Sequence, residues 1–250
     1  MKIKLVILIS IIVYSCNIPA KENLKKPNII FMMSDDHTSQ AWGIYGGVLE
    51  KYAINKNIKR LAAEGVVLEN AFCTNSICVP SRASILTGQY SHKNQVYTLT
   101  DALQPDQPNV AKILSKSGYQ TACIGKWDVS NRKPIIDRMP NAQGFDYFFG
   151  TLGANDSGLV RLHENNEPAG QTREMGRLTE QYTDQAIHFL SQKRDPQKPF
   201  LLYLAHTMMH TIIDASPKFK NQSNILIYSY PDIAVNHLSR VYINIYWLYI

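Results

Sequence analysis

Four short stretches of this sequence hold side chains that could act on charged esters. The first is Cys78-Val79-Pro80-Ser81-Arg82-Ala83-Ser84-Ile85-Leu86-Thr87-Gly88. Pro80 suits a first helical turn, where its missing N–H costs nothing, and Gly88 suits a helix stop. Cys78 then stands at or just before a helix N-terminus, where free N–H groups favour an anion and lower a thiol's pKa. Arg82, four residues on, projects from the same face. A sulfur, or its oxidation product, beside a fixed guanidinium suits a sulfate or phosphate ester. A buried cysteine ahead of an ordinary capped helix would show the same spacing.

The second stretch is Asp35-Asp36. Two adjacent carboxylates repel unless a cation or a proton sits between them. Hard oxygen donors of this kind suit calcium or magnesium, and an Asx turn capping the next segment would use the same residues. The third is Gly125-Lys126-Trp127-Asp128. A lone lysine is usually solvated, but one at the carboxyl end of a strand is well placed to bind an anion. The fourth is His206-Thr207-Met208-Met209-His210. Its histidines could share a metal if the segment were helical, although no third ligand stands nearby.

Each of the last three stretches follows a run that reads as a strand. Asn28–Met33 and Phe200–Ala205 are continuous apolar runs after a proline, the pattern of strands buried on both faces of a parallel sheet. Tyr119–Ile124 is the third such run. In open α/β sheets, sites lie at the carboxyl ends of the strands. Amphipathic helices are expected over 55–64, 108–117 and 179–193. Val66-Val67-Leu68 reads as a short strand, residues 88–99 as a polar loop with His92 structural, and residues 151–177 as an irregular insertion on the substrate side that contains Asn155-Asp156.

The 250 residues suffice for one sizeable α/β domain. The formal charge is +6, with Lys2 and Lys4 supplying two of those charges. No basic run is interleaved with aromatics, so nucleic-acid binding is not expected. Met1-Lys2-Ile3-Lys4 followed by apolar Leu5–Val13 reads as a signal peptide over residues 1–20, too short to span a bilayer. Val13-Tyr14-Ser15-Cys16 is similar to a bacterial lipobox, with Cys16 as lipid acceptor. A plain secretory signal cut near Ala20 is the other reading. Export to the periplasm or cell surface follows from both, and membrane attachment, if any, is through the lipid alone. The remaining cysteines are Cys73, Cys78 and Cys123. Cys73 and Cys123 could pair, and the sequence does not decide it. Cys123, within an apolar run, reads as a core residue.

The C-x-P-S-R-x-x-x-L-T-G pattern at Cys78, Pro80, Ser81, Arg82, Leu86, Thr87 and Gly88 closely resembles the formylglycine-dependent sulfatases. The resemblance covers residues 26–220, including Gly144–Gly150. It implies an α/β fold of the alkaline-phosphatase-like type, a sandwich with a mostly parallel central sheet flanked by helices. It also implies that a formylglycine-generating maturation enzyme oxidises Cys78 to formylglycine, whose hydrate is the nucleophile. Asp35 and Asp36 match the family's N-terminal metal pair, with the modified Cys78 as a further ligand. Arg82, Lys126 and His210 match residues that contact the sulfate. The implied cofactor is calcium, with magnesium as the alternative, and the implied substrate is a sulfated glycan or a small sulfate ester. Three positions depart from the pattern: Asp128 stands where a histidine is common, and Met209 and Ile212 replace prolines around His210. Phosphodiester and phosphonate hydrolases share the C-x-P-x-R core and remain an alternative, as does an inactive truncated chain that retains glycan binding. Residues 221–250 change character and read as an atypical, out-of-frame ending, so the fold is expected to be incomplete at the C-terminus. The 250-residue chain is accordingly expected to bind calcium weakly, to turn over sulfate esters poorly or not at all, and to leave a sheet edge or face uncovered.

Overall fold

The computed structural model describes residues 25–46, 50, 55–220 and 245–249. The leader, with Cys16, and most of residues 221–250 lie outside the described residues. The described elements run in the order β1 (Ile29–Met33), α1 (Lys56–Glu64), α2 (Cys78–Thr87), α3 (Ser91–Asn94), α4 (Val110–Lys116), β2 (Gln120–Lys126), β3 (Tyr147–Thr151), β4 (Val160–Glu164), β5 (Glu167–Thr172), α5 (Leu178–His188), β6 (Phe200–Ala205) and β7 (Ile245–Tyr249). The seven strands form one sheet in the order β5-β4-β3-β2-β6-β1-β7. β3, β2, β6 and β1 are parallel, while β4, β5 and β7 are antiparallel additions at the two edges. Because the four parallel strands point the same way, their carboxyl ends share one edge.

The period of two in these strands sorts their side chains onto two cores. Phe31, Met33, Cys123, Phe148, Leu201 and Tyr203 face one side and pack against Val79, Ala83 and Leu86 of α2 and Ala111 of α4. Ala122, Ile124, Phe149, Leu202 and Leu204 face the other side and pack against Leu178, Tyr182 and Ala186 of α5, with Phe189 just beyond it. Each fully buried large apolar side chain contributes roughly 1.5–3 kcal/mol. β6 is buried along its whole length, as its apolar run predicts. β1 is not: Met32 is 38 % exposed, because α5 covers β2, β3 and β6 on that face.

Several local expectations are corrected. Val66 and Leu68 are exposed and form no strand. Residues 91–94 of the expected loop form α3, with His92 stacked on Tyr90. Residues 151–177 are not irregular, because β4 and β5 form a hairpin turning at Asn165, which has φ 53°. Asparagine tolerates that left-handed geometry and is a hairpin-turn residue. Within residues 221–250, Ile245–Tyr249 pairs antiparallel with β1, from Ile29↔Tyr249 to Met33↔Ile245. β1 is therefore not an edge strand, although its Met32 face stays partly exposed. Cys73 and Cys123 are both free: Cys73 Sγ donates to the Asn75 carbonyl at 2.7 Å, and Cys123 is buried within β2. No described helix is long and apolar enough to cross a membrane.

Candidate active site

The carboxyl ends of β1, β2 and β6 deliver Asp35-Asp36, Lys126-Asp128 and His210 to one place, and the N-terminus of α2 brings Cys78 to face them. Cys78 is the first residue of α2, and Gly88 ends the helix in the left-handed region at φ 65°, donating to the Ser84 carbonyl. The glycine of Gly125-Lys126 is required where the strands end. It has φ 106°, and a Cβ there would collide with the Ala205 carbonyl of β6. The close approach of β2 to β6 turns Lys126 inward.

The floor of the site is a buried set of charges. Lys126 Nζ is 2.6 Å from Asp35 Oδ2 and 3.3 Å from Asp128 Oδ2. Arg82 Nη2 lies 3.5 Å from Asp35 Oδ2, and Arg82 Nη1 donates to the Lys126 carbonyl at 2.7 Å. All four side chains are essentially inaccessible. Burial by itself would raise the Asp35 carboxyl, but Arg82 and Lys126 together hold it below the usual carboxylate range. Lys126 is likewise held up, against burial, by Asp35 and Asp128.

The rim is half-exposed. His210 Nε2 is 3.5 Å from Asp36 Oδ2, and its Nδ1 is 3.1 Å from Asp156 Oδ1. Burial and the charge of Asp35 push the Asp36 carboxyl up, against the pull of His210. Asp36 also has φ 53°. Arg132 Nε donates to Asp128 Oδ1 at 2.9 Å, and Arg132 Nη1 is 3.4 Å from Asp156 Oδ2. Arg132 Nη2 donates to Cys78 Sγ at 3.8 Å.

Asp35, Asp36, Cys78, Arg82, Lys126 and His210 therefore converge, with three adjustments. First, the Cys78 thiol is not lowered by its helix N-terminus. Burial pushes it up, the Asp128 carboxylate adds to that, and Lys126 only partly opposes it. The unmodified thiol is a poor nucleophile here. Second, the histidine pair is not helical. His206 turns away, its ring against Tyr182, and burial pushes it down to about 4. Third, Lys126 is paired with two carboxylates rather than free to meet an anion. Arg132, Asn155 and Asp156 were not assigned roles. Asn155 is buried and clamps the His210 segment by donating to the carbonyls of His210 and Ile212 at 3.1 and 3.2 Å. The Asn155-Asp156 dipeptide was its only sequence signal, and Arg132 had none, since it acts from a loop.

Asp35 and Asp36 offer the hard oxygens a divalent cation takes, and the raised Asp36 carboxyl would gain from one. The donor chemistry fits in kind, although among the described residues no three His, Cys, Asp or Glu cluster. Cys78, expected to join that ligand set once modified, is contacted by Arg132 and interacts with Lys126, Asp128 and Asp35.

The model of the Sulfatase family matches residues 27–228. A curated relative, N-acetylglucosamine-6-O-sulfatase of Bacteroides thetaiotaomicron, is 37 % identical over 217 residues, covering 87 % of this chain and 37 % of that protein. Mouse arylsulfatase G is 27 % identical over 250 residues, covering 85 % and 46 %. Among solved structures, one in complex with its substrate D-glucosamine-2-N,6-O-disulfate superposes with a TM-score of 0.63 at 36 % identity, covering 75 % of this chain and 35 % of its own. The chain thus spans less than half the length of the curated relatives it matches. Its mostly parallel sheet flanked by helices is the alkaline-phosphatase-like fold of its structural neighbours. With the family's motif, fold and matched span in agreement, this chain belongs to the sulfatase family.

Proposed function

We propose that this chain carries the nucleophile-bearing part of a sulfuric ester hydrolase acting on a sulfated amino sugar or related glycan. The observation that supports it most is the convergence of Cys78, Arg82, Lys126, Asp35 and His210 at one sheet edge. The amino sugar is suggested by the names of similar proteins, one an N-acetylglucosamine-6-O-sulfatase and one solved with a disulfated glucosamine. Formylglycine, once formed from Cys78, supplies an aldehyde hydrate as the attacking group. Its place on the helix N-terminus points it toward the cations of the floor. Arg82 and Lys126 offset the negative charge that builds on the transferring sulfuryl group, and His210 adds to them from the rim. Asp128 would oppose an anion, but Lys126 and Arg132 neutralise it. Asp35 and Asp36 would hold the divalent cation, calcium in the first instance, which polarises sulfate oxygens.

The experiment is turnover of an aryl sulfate against an aryl phosphate. It uses the chain co-expressed with a formylglycine-generating enzyme, beside the same chain fused to the second half of a full-length relative. The fusion should cleave the sulfate in preference, and Cys78→Ala should abolish cleavage. Preference for the phosphate would reassign the reaction to phosphoester hydrolysis. We further propose export as a lipoprotein through Cys16. Cys16→Ala should move the protein to the soluble fraction, and an unlipidated mature N-terminus at Lys21 would contradict it.

A further inference from the structure

Arg132 is unusual in three respects. It is the residue whose guanidinium reaches the Cys78 sulfur, at 3.8 Å, from outside the family motif. It lies in a loop where Asp128, Asn131 and Arg132 all have positive φ, at 66°, 56° and 54°. Non-glycine residues in that region cost energy and persist where the surroundings over-determine them, which is common at ligand sites. Its three guanidinium nitrogens are also used unequally. Nε is committed to buried Asp128 at 2.9 Å. Among the described residues, Nη1 has only a longer contact, 3.4 Å, to Asp156, whose side chain is 51 % exposed, and Nη2 has only the weak sulfur contact. The side chain is itself 32 % accessible.

We infer that Arg132 is an oxyanion-binding residue, anchored by Asp128 through Nε and presenting its Nη edge to the tetrahedral group that reacts at residue 78. This deepens the sulfatase reading and rests on it. The anchor matters because a guanidinium fork pre-set by one carboxylate loses less freedom when it takes a second anion. Asp156 is the competitor: its carboxylate occupies Nη1 in the unliganded site and must yield to the incoming oxygen. The chemistry shared by sulfate and phosphate monoesters is three terminal oxygens that share negative charge on a tetrahedral centre, which the planar fork meets with two donors.

The test is titration of the full chain with inorganic sulfate, and in parallel with inorganic phosphate, followed by calorimetry. Thermal unfolding of each variant checks that it is folded. Arg132→Met should weaken sulfate roughly tenfold or more, as loss of a hydrogen bond to a charged group does. Arg132→Lys keeps a charge for Asp128 but loses the fork, so it should weaken sulfate several-fold and serves if the methionine variant does not fold. Asp156→Asn, which removes the competitor, should tighten it. Sulfate affinity unchanged within about twofold in folded Arg132→Met or Arg132→Lys overturns the assignment while leaving the sulfatase reading standing. An effect of Arg132 on phosphate alone overturns it for sulfate. Failure of the unaltered chain to bind sulfate overturns the assignment of Arg132, whereas the sulfatase reading stands or falls on turnover by the fusion.

Discussion

Asp35 lies on the buried floor of the site and Asp36 on its half-exposed rim, although the two are consecutive in sequence. The bend that follows β1, with Asp36 at φ 53°, turns one carboxylate inward to Arg82 and Lys126, which hold it below the usual carboxylate range against burial. The other lies at the rim, where burial and then the charge of Asp35 raise it and His210 only partly compensates. The same division runs through the whole site. The floor is made of strand ends and a helix start, with each charge facing an opposite charge. The rim is made of loop residues, Arg132, Asp156 and His210, whose ion pairs are partly exposed. A floor of that kind supplies a fixed electrostatic background, whereas a rim of that kind can exchange an internal partner for a ligand.

Removing a floor charge should therefore have the largest effect. Asp35→Ala leaves buried Arg82 without its ion-pair partner and Lys126 with Asp128 alone, and breaking a buried ion pair in this way costs about 3–5 kcal/mol. Urea unfolding should show a fall of that size, and a change below about 1 kcal/mol would mean that the floor is not electrostatically closed. A smaller effect is expected behind the floor, at His206. Its folded-state pKa, pushed down to about 4, lies below the unfolded value near 6.5. The stability it contributes is fully present above pH 6.5 and is lost as pH falls through about 4, because only the unfolded chain takes the proton. The loss is at most about 3 kcal/mol. His206→Gln should flatten the stability–pH curve across that window, and an unchanged slope would place the acid sensitivity elsewhere. The smallest effect belongs to the rim. Asp156→Ala should change stability by less than about 1 kcal/mol, since exposed ion pairs are worth little. A large loss on urea unfolding would make the rim part of the scaffold.

The same division marks what could be read from the sequence. Asp35 and Lys126 stand out because each follows a continuous apolar run, and Cys78 and Arg82 because a helix start fixes their spacing; the resemblance to sulfatases selects these residues over plainer readings and singles out His210. Sheet class and parallel order follow from the same runs. The hairpin of β4 and β5 was missed because β5 is exposed nearly throughout and its sequence, Glu167–Thr172, carries no apolar alternation. β7 was missed because its partner, β1, is far away in sequence. Arg132 and Asp156 were missed for a related reason: a loop residue's partners are set by tertiary closure, and no local period announces them. The pKa of Cys78 was misjudged because helix position is local, whereas burial and Asp128 are not.

The central claim is that the floor is arranged around a modified residue 78 rather than around a thiol. Peptide mass spectrometry across Cys78, on the chain co-expressed with a formylglycine-generating enzyme, tests this most directly. The account predicts that the peptide carries an aldehyde at residue 78. Recovery of the unmodified thiol alone would contradict it.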